Sequence, residues 1–206
     1  MEPGVIAFLV LIVVYFIGTE GLRRYYEAKF EGFFQTAHYE EAIDTLNKIP
    51  ARVTLSTYRQ HYYRFLAYQA MDDEEMATRM IELLVRMRNS AKKQSEILPV
   101  AFNYFVQINN KERAKELLAQ IKAVKGINKS IVSDCQLTYD IVYSKSYQYI
   151  DKMEEMLKMS SSPTKQGKLC FLLWKQYSNK GDKTHAKAYK RRFEELTKTT
   201  KPQKAD

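Results

Sequence analysis

Residues 174–193 read WKQYSNKGDKTHAKAYKRRF, and the spacing inside this stretch sets the architecture of the chain. Trp174 and Tyr177 stand three residues apart, Gly181-Asp182 interrupts, and Ala186 follows with Phe193 seven positions further on. This is the pattern of two helices joined by a short turn. Apolar residues three or four apart bury one stripe of a helix. Asp182 is placed to cap the second helix, Gly181 supplies loose backbone for the turn, and Ala186 lets the two helices approach closely.

Working outward from this stretch, the same pattern returns along the chain. Ala42, Ala77, Ala114, Ile150 and Ala186 are separated by steps of 35, 37, 36 and 36. Nine residues before each lie Phe33, Tyr68, Phe105, Ile141 and Tyr177, and twelve before lie Phe30, Phe65, Phe102, Thr138 and Trp174. Seven residues after each come Ile49, Leu84, Ile121, Leu157 and Phe193. Asp72-Asp73 and Asn109-Asn110 mark polar breaks equivalent to Gly181-Asp182. Pro50, Pro99 and Pro163 are expected to interrupt helical runs or open new ones, with Ser160-Ser161-Ser162-Pro163 the clearest joint. The fourth copy is the weakest, with Thr138 as a polar lapse and Lys145 at its turn. Strand-like alternation is missing, and only 7 Gly and 5 Pro are present, few for a turn-rich β fold. The expectation is an all-α chain with about five helical hairpins.

Gly181-Asp182-Lys183-Thr184-His185-Ala186 resembles the opening of the second helix in the tetratricopeptide repeat family. Ala37-His38-Tyr39-Glu40-Glu41-Ala42 and Asn109-Asn110-Lys111-Glu112-Arg113-Ala114 match it in outline, and Phe33, Tyr68, Phe105 and Tyr177 occupy the family's tyrosine position. The resemblance covers about residues 23–196 and implies an α-solenoid that binds other proteins. It implies a concave face made from one side of the first helices, on Glu27, Glu31, Phe34, Tyr62, Leu66, Gln69, Asn103, Val106, Tyr139, Val142, Phe171 and Lys175. Glu27, Tyr62, Pro99, Cys135 and Phe171 stand where some relatives carry a carboxylate-gripping lysine. Capture of a C-terminal carboxylate is therefore not expected.

Ahead of the repeats, residues 4–19 read GVIAFLVLIVVYFIGT without a charge. Extended to Leu22 the segment makes about 28 Å of helix, close to the roughly 30 Å hydrocarbon core of a bilayer. A cleaved signal peptide is disfavoured by the lack of a basic n-region and of an A-x-A-like site. Residues 1–22 are expected to form a single-pass membrane anchor, with the membrane met through residues 4–22. Arg23, Arg24 and Lys29 follow the apolar run, whereas only Glu2 and the terminal amine precede it. By the positive-inside rule the repeat domain is cytoplasmic.

Residues 1–22 hold Glu2 and Glu20 and no Lys or Arg, so the chain's net charge of +9 becomes +11 beyond the anchor, and residues 158–206 hold 13 Lys/Arg against 4 Asp/Glu. Residues 197–206 read as a disordered basic tail. Lys187, Lys190, Arg191 and Arg192 form a basic patch that could meet anionic lipid or nucleic acid, although protein partners are preferred over nucleic acid. The two cysteines, Cys135 and Cys170, have no CxxC spacing and read as buried small hydrophobes. His38, His61 and His185 fall on separate helices, and no HExxH or other close ligand cluster occurs. Asp72-Asp73-Glu74-Glu75 reads as negative charge at a helix start. Neither catalytic residues, a cofactor nor a metal is expected. The function that follows is a membrane-anchored scaffold or adaptor. Its rivals are the basic patch acting alone, or the same repeats facing outward in envelope assembly or secretion.

Overall fold

The computed structural model describes residues 3–200, which form eleven helices and no strand. In chain order these are α1 (Pro3–Gln35), α2 (Tyr39–Asn47), α3 (Ile49–Thr54), α4 (Thr57–Ala70), α5 (Glu74–Arg86), α6 (Ala91–Gln107), α7 (Lys111–Ala123), α8 (Lys129–Tyr143), α9 (Ile150–Met159), α10 (Pro163–Lys180) and α11 (Lys183–Thr200). They divide into two units, the first containing α1–α5 and the second α6–α11.

Five turns recur at one repeat position. Ala37, Asp72, Asn109, Lys145 and Gly181 all adopt the left-handed conformation, with φ of 57°, 57°, 58°, 56° and 83°. Their spacing repeats the 35, 37, 36 and 36 of the sequence columns. In four turns the same pair of bonds closes the preceding helix. His38, Asp73, Asn110 and Asp182 N–H donate to the carbonyls of Phe33, Tyr68, Phe105 and Tyr177 at 2.8–3.0 Å. The left-handed residue donates to a carbonyl three positions back, as from Gly181 to Ser178 at 3.2 Å. These are Schellman closures, which satisfy carbonyls that the last helical turn leaves unpaired. The next helix is then capped by Asp73 on Met76 N–H (3.0 Å), Asn110 on Arg113 N–H (3.1 Å) and Asp182 on His185 N–H (3.1 Å). The Schellman closure therefore builds four of the five turns, and three of them add the side-chain cap, which His38 does not make.

Of the five left-handed residues only Gly181 lacks a Cβ. An alanine there carries a steric cost of about 1 kcal/mol. Ala37→Gly is expected to stabilise the first unit by about 0.5–1 kcal/mol, read as a shift in urea midpoint at unchanged slope.

The columns are mostly core. Ala42, Ala77, Ala114, Ile150 and Ala186 are all buried, as are Phe30, Phe65 and Phe102. Thr138 is buried too, and its hydroxyl donates to the Asp134 carbonyl at 2.8 Å, which removes the penalty of its polarity. Ile49 breaks the column at 75% exposed. Helix α2 ends at Asn47, and the chain bends at Lys48 into α3, which Ile49 opens, so the residue seven past Ala42 no longer shares its face. Pro163 opens α10 and Pro50 sits in the first turn of α3, as expected. Pro99 instead lies inside α6, which runs through it to Gln107. The α6 opening is set by Ser90, whose hydroxyl accepts from Lys93 N–H.

The α1 helix spans 33 residues without a break. Its N-terminal part is apolar and long enough to cross a membrane, and none of its most apolar stretch is buried. The exposed large side chains between Val5 and Ile17 present 46–67% of their surface. Thr19, the polar residue at the end of the run, donates its hydroxyl to the Tyr15 and Phe16 carbonyls. Glu20 then accepts from Arg23 at 2.5 Å and Arg24 at 2.8 Å. The boundary expected at residue 22 falls inside α1, so the apolar segment and the first helix of the first hairpin are one rod. Likewise α11 continues to Thr200, past the expected domain end at 196, and residues 201–206 of the expected tail lie outside the described residues.

Candidate partner-binding groove

The fourth hairpin departs from the others. In α1/α2, α4/α5, α6/α7 and α10/α11 the two helices pack directly on each other around an alanine. The fourth copy carries the branched Ile150 in the alanine column, as the first residue of α9, and α8 and α9 make no such close pair. The turn is also longer, from Ser144 to Tyr149, and closes differently, with Ser146 N–H donating to the Asp140 carbonyl at 3.1 Å.

Helix α10 holds the opened pair in place, packing on both α8 and α9. Gln176, fully buried, accepts from Tyr149 N–H at 2.9 Å and places its amide 3.1 Å from the Met153 sulfur. Asn179 donates to the Ile141 carbonyl at 2.8 Å and the Ser146 carbonyl at 3.0 Å. These two amides satisfy backbone groups that the widened turn leaves without partners. On the other side of α9, Glu154 accepts from the hydroxyls of Tyr177 (2.7 Å) and Tyr189 (2.8 Å), tying it to α10 and α11.

The opening leaves a groove of about 740 Å³ among α8, α9 and α10. Val132, Leu137, Met153, Met156, Leu169 and Leu172 supply its apolar lining. Lys122, Lys152, Lys165 and Lys168 stand around it, against Asp134 and Asp140. Asp140 is held by the Gln136 side chain at 2.8 Å. An apolar trough with lysines at its edge suits an amphipathic segment carrying acidic residues. Methionines in its floor adapt to varied side-chain shapes.

The residues expected on a concave face take the following places. In the first unit, Glu27 forms an ion pair with Arg59, and Phe34 stacks on Phe30 at 5.7 Å. Tyr62 stacks on Tyr58 at 6.4 Å, Leu66 and Gln69 are half-buried, and Glu31 is exposed. In the second unit, Val106 is 5% exposed and belongs to the core, because α6 turns that face toward its neighbours. Asn103 is exposed and Val142 half-buried, while Tyr139 rests on Tyr143 at 5.1 Å. Phe171 packs against Trp174 and Phe193 at 5.9 and 5.6 Å. The Lys175 ammonium sits 4.5 Å from the Trp174 ring centre, with Lys190 at 5.5 Å on the same ring. Burial, then the nearby Lys190, holds Lys175 below the ordinary lysine range.

The basic patch does not form one face. Lys187 and Arg191 join Lys183 along a stripe of α11, Lys190 lies over Trp174, and Arg192 borders a separate hollow with Glu154 and Tyr189. Both cysteines are free and buried, and burial pushes the Cys135 thiol up to about 11, where it stays protonated. Asp73 of the acidic run serves as a helix cap. Among the described residues no group of three or more His, Cys, Asp and Glu is arranged to hold a metal.

Apart from Thr138, the groove residues lie outside the repeat columns, so the repeat pattern does not point to them. Ile150 in an alanine column was the available signal. Comparison of the chain with protein-family models, curated proteins and solved structures finds no match.

Burial, followed by the hydrogen bond to Glu154, pushes the Tyr177 hydroxyl up to about 12 from an ordinary 10.0. Tyr189 is raised by the same causes. A raised folded value means stability that is complete below pH 10.0 and lost as pH climbs through the folded value near 12. Thermal melts across that window are expected to fall more steeply for the wild type than for Tyr177→Phe.

Proposed function

We propose that this chain is a single-pass membrane adaptor whose helical hairpins stack as a tetratricopeptide-like α-solenoid and dock an acidic amphipathic helix of a partner protein. The observation that carries the reading is the groove of the opened fourth hairpin, apolar within and lined by four lysines. The continuous α1 helix supports the tether, since its apolar part has no protein surface to cover it. Leaving that much apolar surface in water is costly, and lipid removes the cost. Tethering raises the effective concentration of whatever the groove holds near the membrane.

The charge flanking α1 supports a cytoplasmic position for residues 23–206, because Arg23 and Arg24 follow the apolar run directly. Protease added to intact cells is expected to spare a C-terminal tag, and to remove it once the membrane is opened. Removal from intact cells reverses the topology and favours an envelope role.

Groove function is tested with two synthetic amphipathic helices of equal apolar face, one with glutamates and one with lysines on the polar face. Fluorescence anisotropy against the detergent-solubilised full chain is expected to show binding of the glutamate peptide alone. Equal binding of both, or of neither, removes the groove from the proposal. The Lys183–Lys187–Arg191 stripe favours a second reading, adhesion to anionic lipid headgroups. Vesicle binding by that route falls steeply with salt and is indifferent to groove substitutions.

A further inference from the structure

The short helix α3 carries an apolar face that no part of the first unit covers. Ile49 is 75% exposed and Val53 74%, on a helix whose other face is core. Ala51 and Leu55 join the cluster around Phe30 and Leu46, while Ile49 and Val53, one turn apart, lie on the opposite side. Lys48, Pro50 and Arg52 flank this pair and are themselves exposed.

The height of α3 along α1 says what this face meets. Helix α2 returns alongside α1 from the turn at Ala37, and its nine residues carry the chain back by about 13 Å toward the apolar segment. After α3, Arg59 in the first turn of α4 pairs with Glu27 of α1. The Gln60 side-chain amide donates to the Leu55 carbonyl at 2.7 Å and the Arg52 carbonyl at 3.1 Å, locking the joint between α3 and α4. Glu27 lies five residues beyond Leu22, about 8 Å along the helix axis. The headgroup layer of a bilayer is about 5–8 Å deep on each side of the hydrocarbon core. With the apolar part of α1 in the hydrocarbon, α3 falls at the depth of the lipid headgroups.

We propose that α3 is a second membrane contact, in which Ile49 and Val53 enter the lipid interface beside the exit of α1 and Lys48 and Arg52 meet anionic headgroups. The proposal rests on the transmembrane reading of α1. A short helix with apolar residues on one face and basic residues beside them is suited to lie in the interface plane. Two contacts, one spanning and one at the surface, define how the first hairpin stands on the membrane, which a single spanning helix leaves free to rotate.

Three single-cysteine labels test this in the full chain reconstituted into phosphatidylcholine–phosphatidylserine vesicles. Cys135 and Cys170 are buried and stay unlabelled under native conditions. Val13→Cys reports the span, Val53→Cys the α3 face, and Gln35→Cys a point about 20 Å above Leu22. Each carries a small environment-sensitive fluorophore and is exposed to spin-labelled lipid quenchers placed near the headgroup or deep in the chains. The expected result is deep quenching at Val13, about twofold loss with the shallow quencher at Val53, and no loss at Gln35. Quenching at Val13 with Val53 no different from Gln35 overturns the α3 contact and leaves the anchor standing. No quenching at Val13 removes the anchor, and the α3 proposal with it. Replacing phosphatidylserine by phosphatidylcholine is expected to weaken the signal at Val53 and not at Val13. An unchanged signal at Val53 overturns the part assigned to Lys48 and Arg52.

Discussion

Combining Lys152→Glu, Lys168→Glu and Met156→Glu is expected to weaken binding of the glutamate-faced helix at least about 100-fold, with helical content unchanged. Each lysine reversal replaces an attraction by a repulsion at the groove edge, and each such change costs on the order of 1–2 kcal/mol at partly screened sites. Met156 is half-buried in the groove lining, so a carboxylate there also places an unpaired charge against the partner's apolar face. Anisotropy titration measures the loss, and circular dichroism checks that the fold is intact. Binding that survives the triple variant moves the docking site elsewhere. The reversal pattern carries its own control. The lysine-faced peptide should gain affinity for the same variant, since specificity by charge works in both directions.

Phe102→Ala is expected to destabilise the second unit by about 3–5 kcal/mol, the range for removing a fully buried phenylalanine and leaving a cavity. Phe102 is 0% exposed on α6, among the largest fully buried side chains of the described residues. For a chain of this length the melting temperature should drop by about 10 °C. A sharper comparison comes from two residues in the same repeat column. Leu84→Ala, at 0% exposed, should cost about 2–5 kcal/mol in detergent, whereas Ile49→Ala, at 75% exposed, should cost nearly nothing. Equal effects at the two positions contradict the break of the column at Lys48.

The hairpins were legible in the sequence because each is a local object. An alanine at the crossing, a bulky residue nine positions before it and a polar residue at the turn act within about 20 residues of one another. The left-handed residues at Ala37, Asp72, Asn109, Lys145 and Gly181 follow the same register. The apolar segment was legible for a similar reason, since hydropathy and length need no partner to be read. Position in the repeat alone does not say that Val106 turns inward or that Arg59 claims Glu27.

By itself, then, the chain determines helix, turn and the period that relates them, because those depend on neighbours close in sequence. It also determines that one helix is long and apolar enough to cross a membrane. Only the tertiary structure decides that α1 is one rod across the expected boundary, that α3 leaves Ile49 and Val53 uncovered, and that α10 packs on both α8 and α9. Those outcomes depend on how far apart two helices rest and on which side chains of a third helix reach the gap. Gln176 and Asn179, 26 and 29 residues beyond the crossing they stabilise, lie outside any local window.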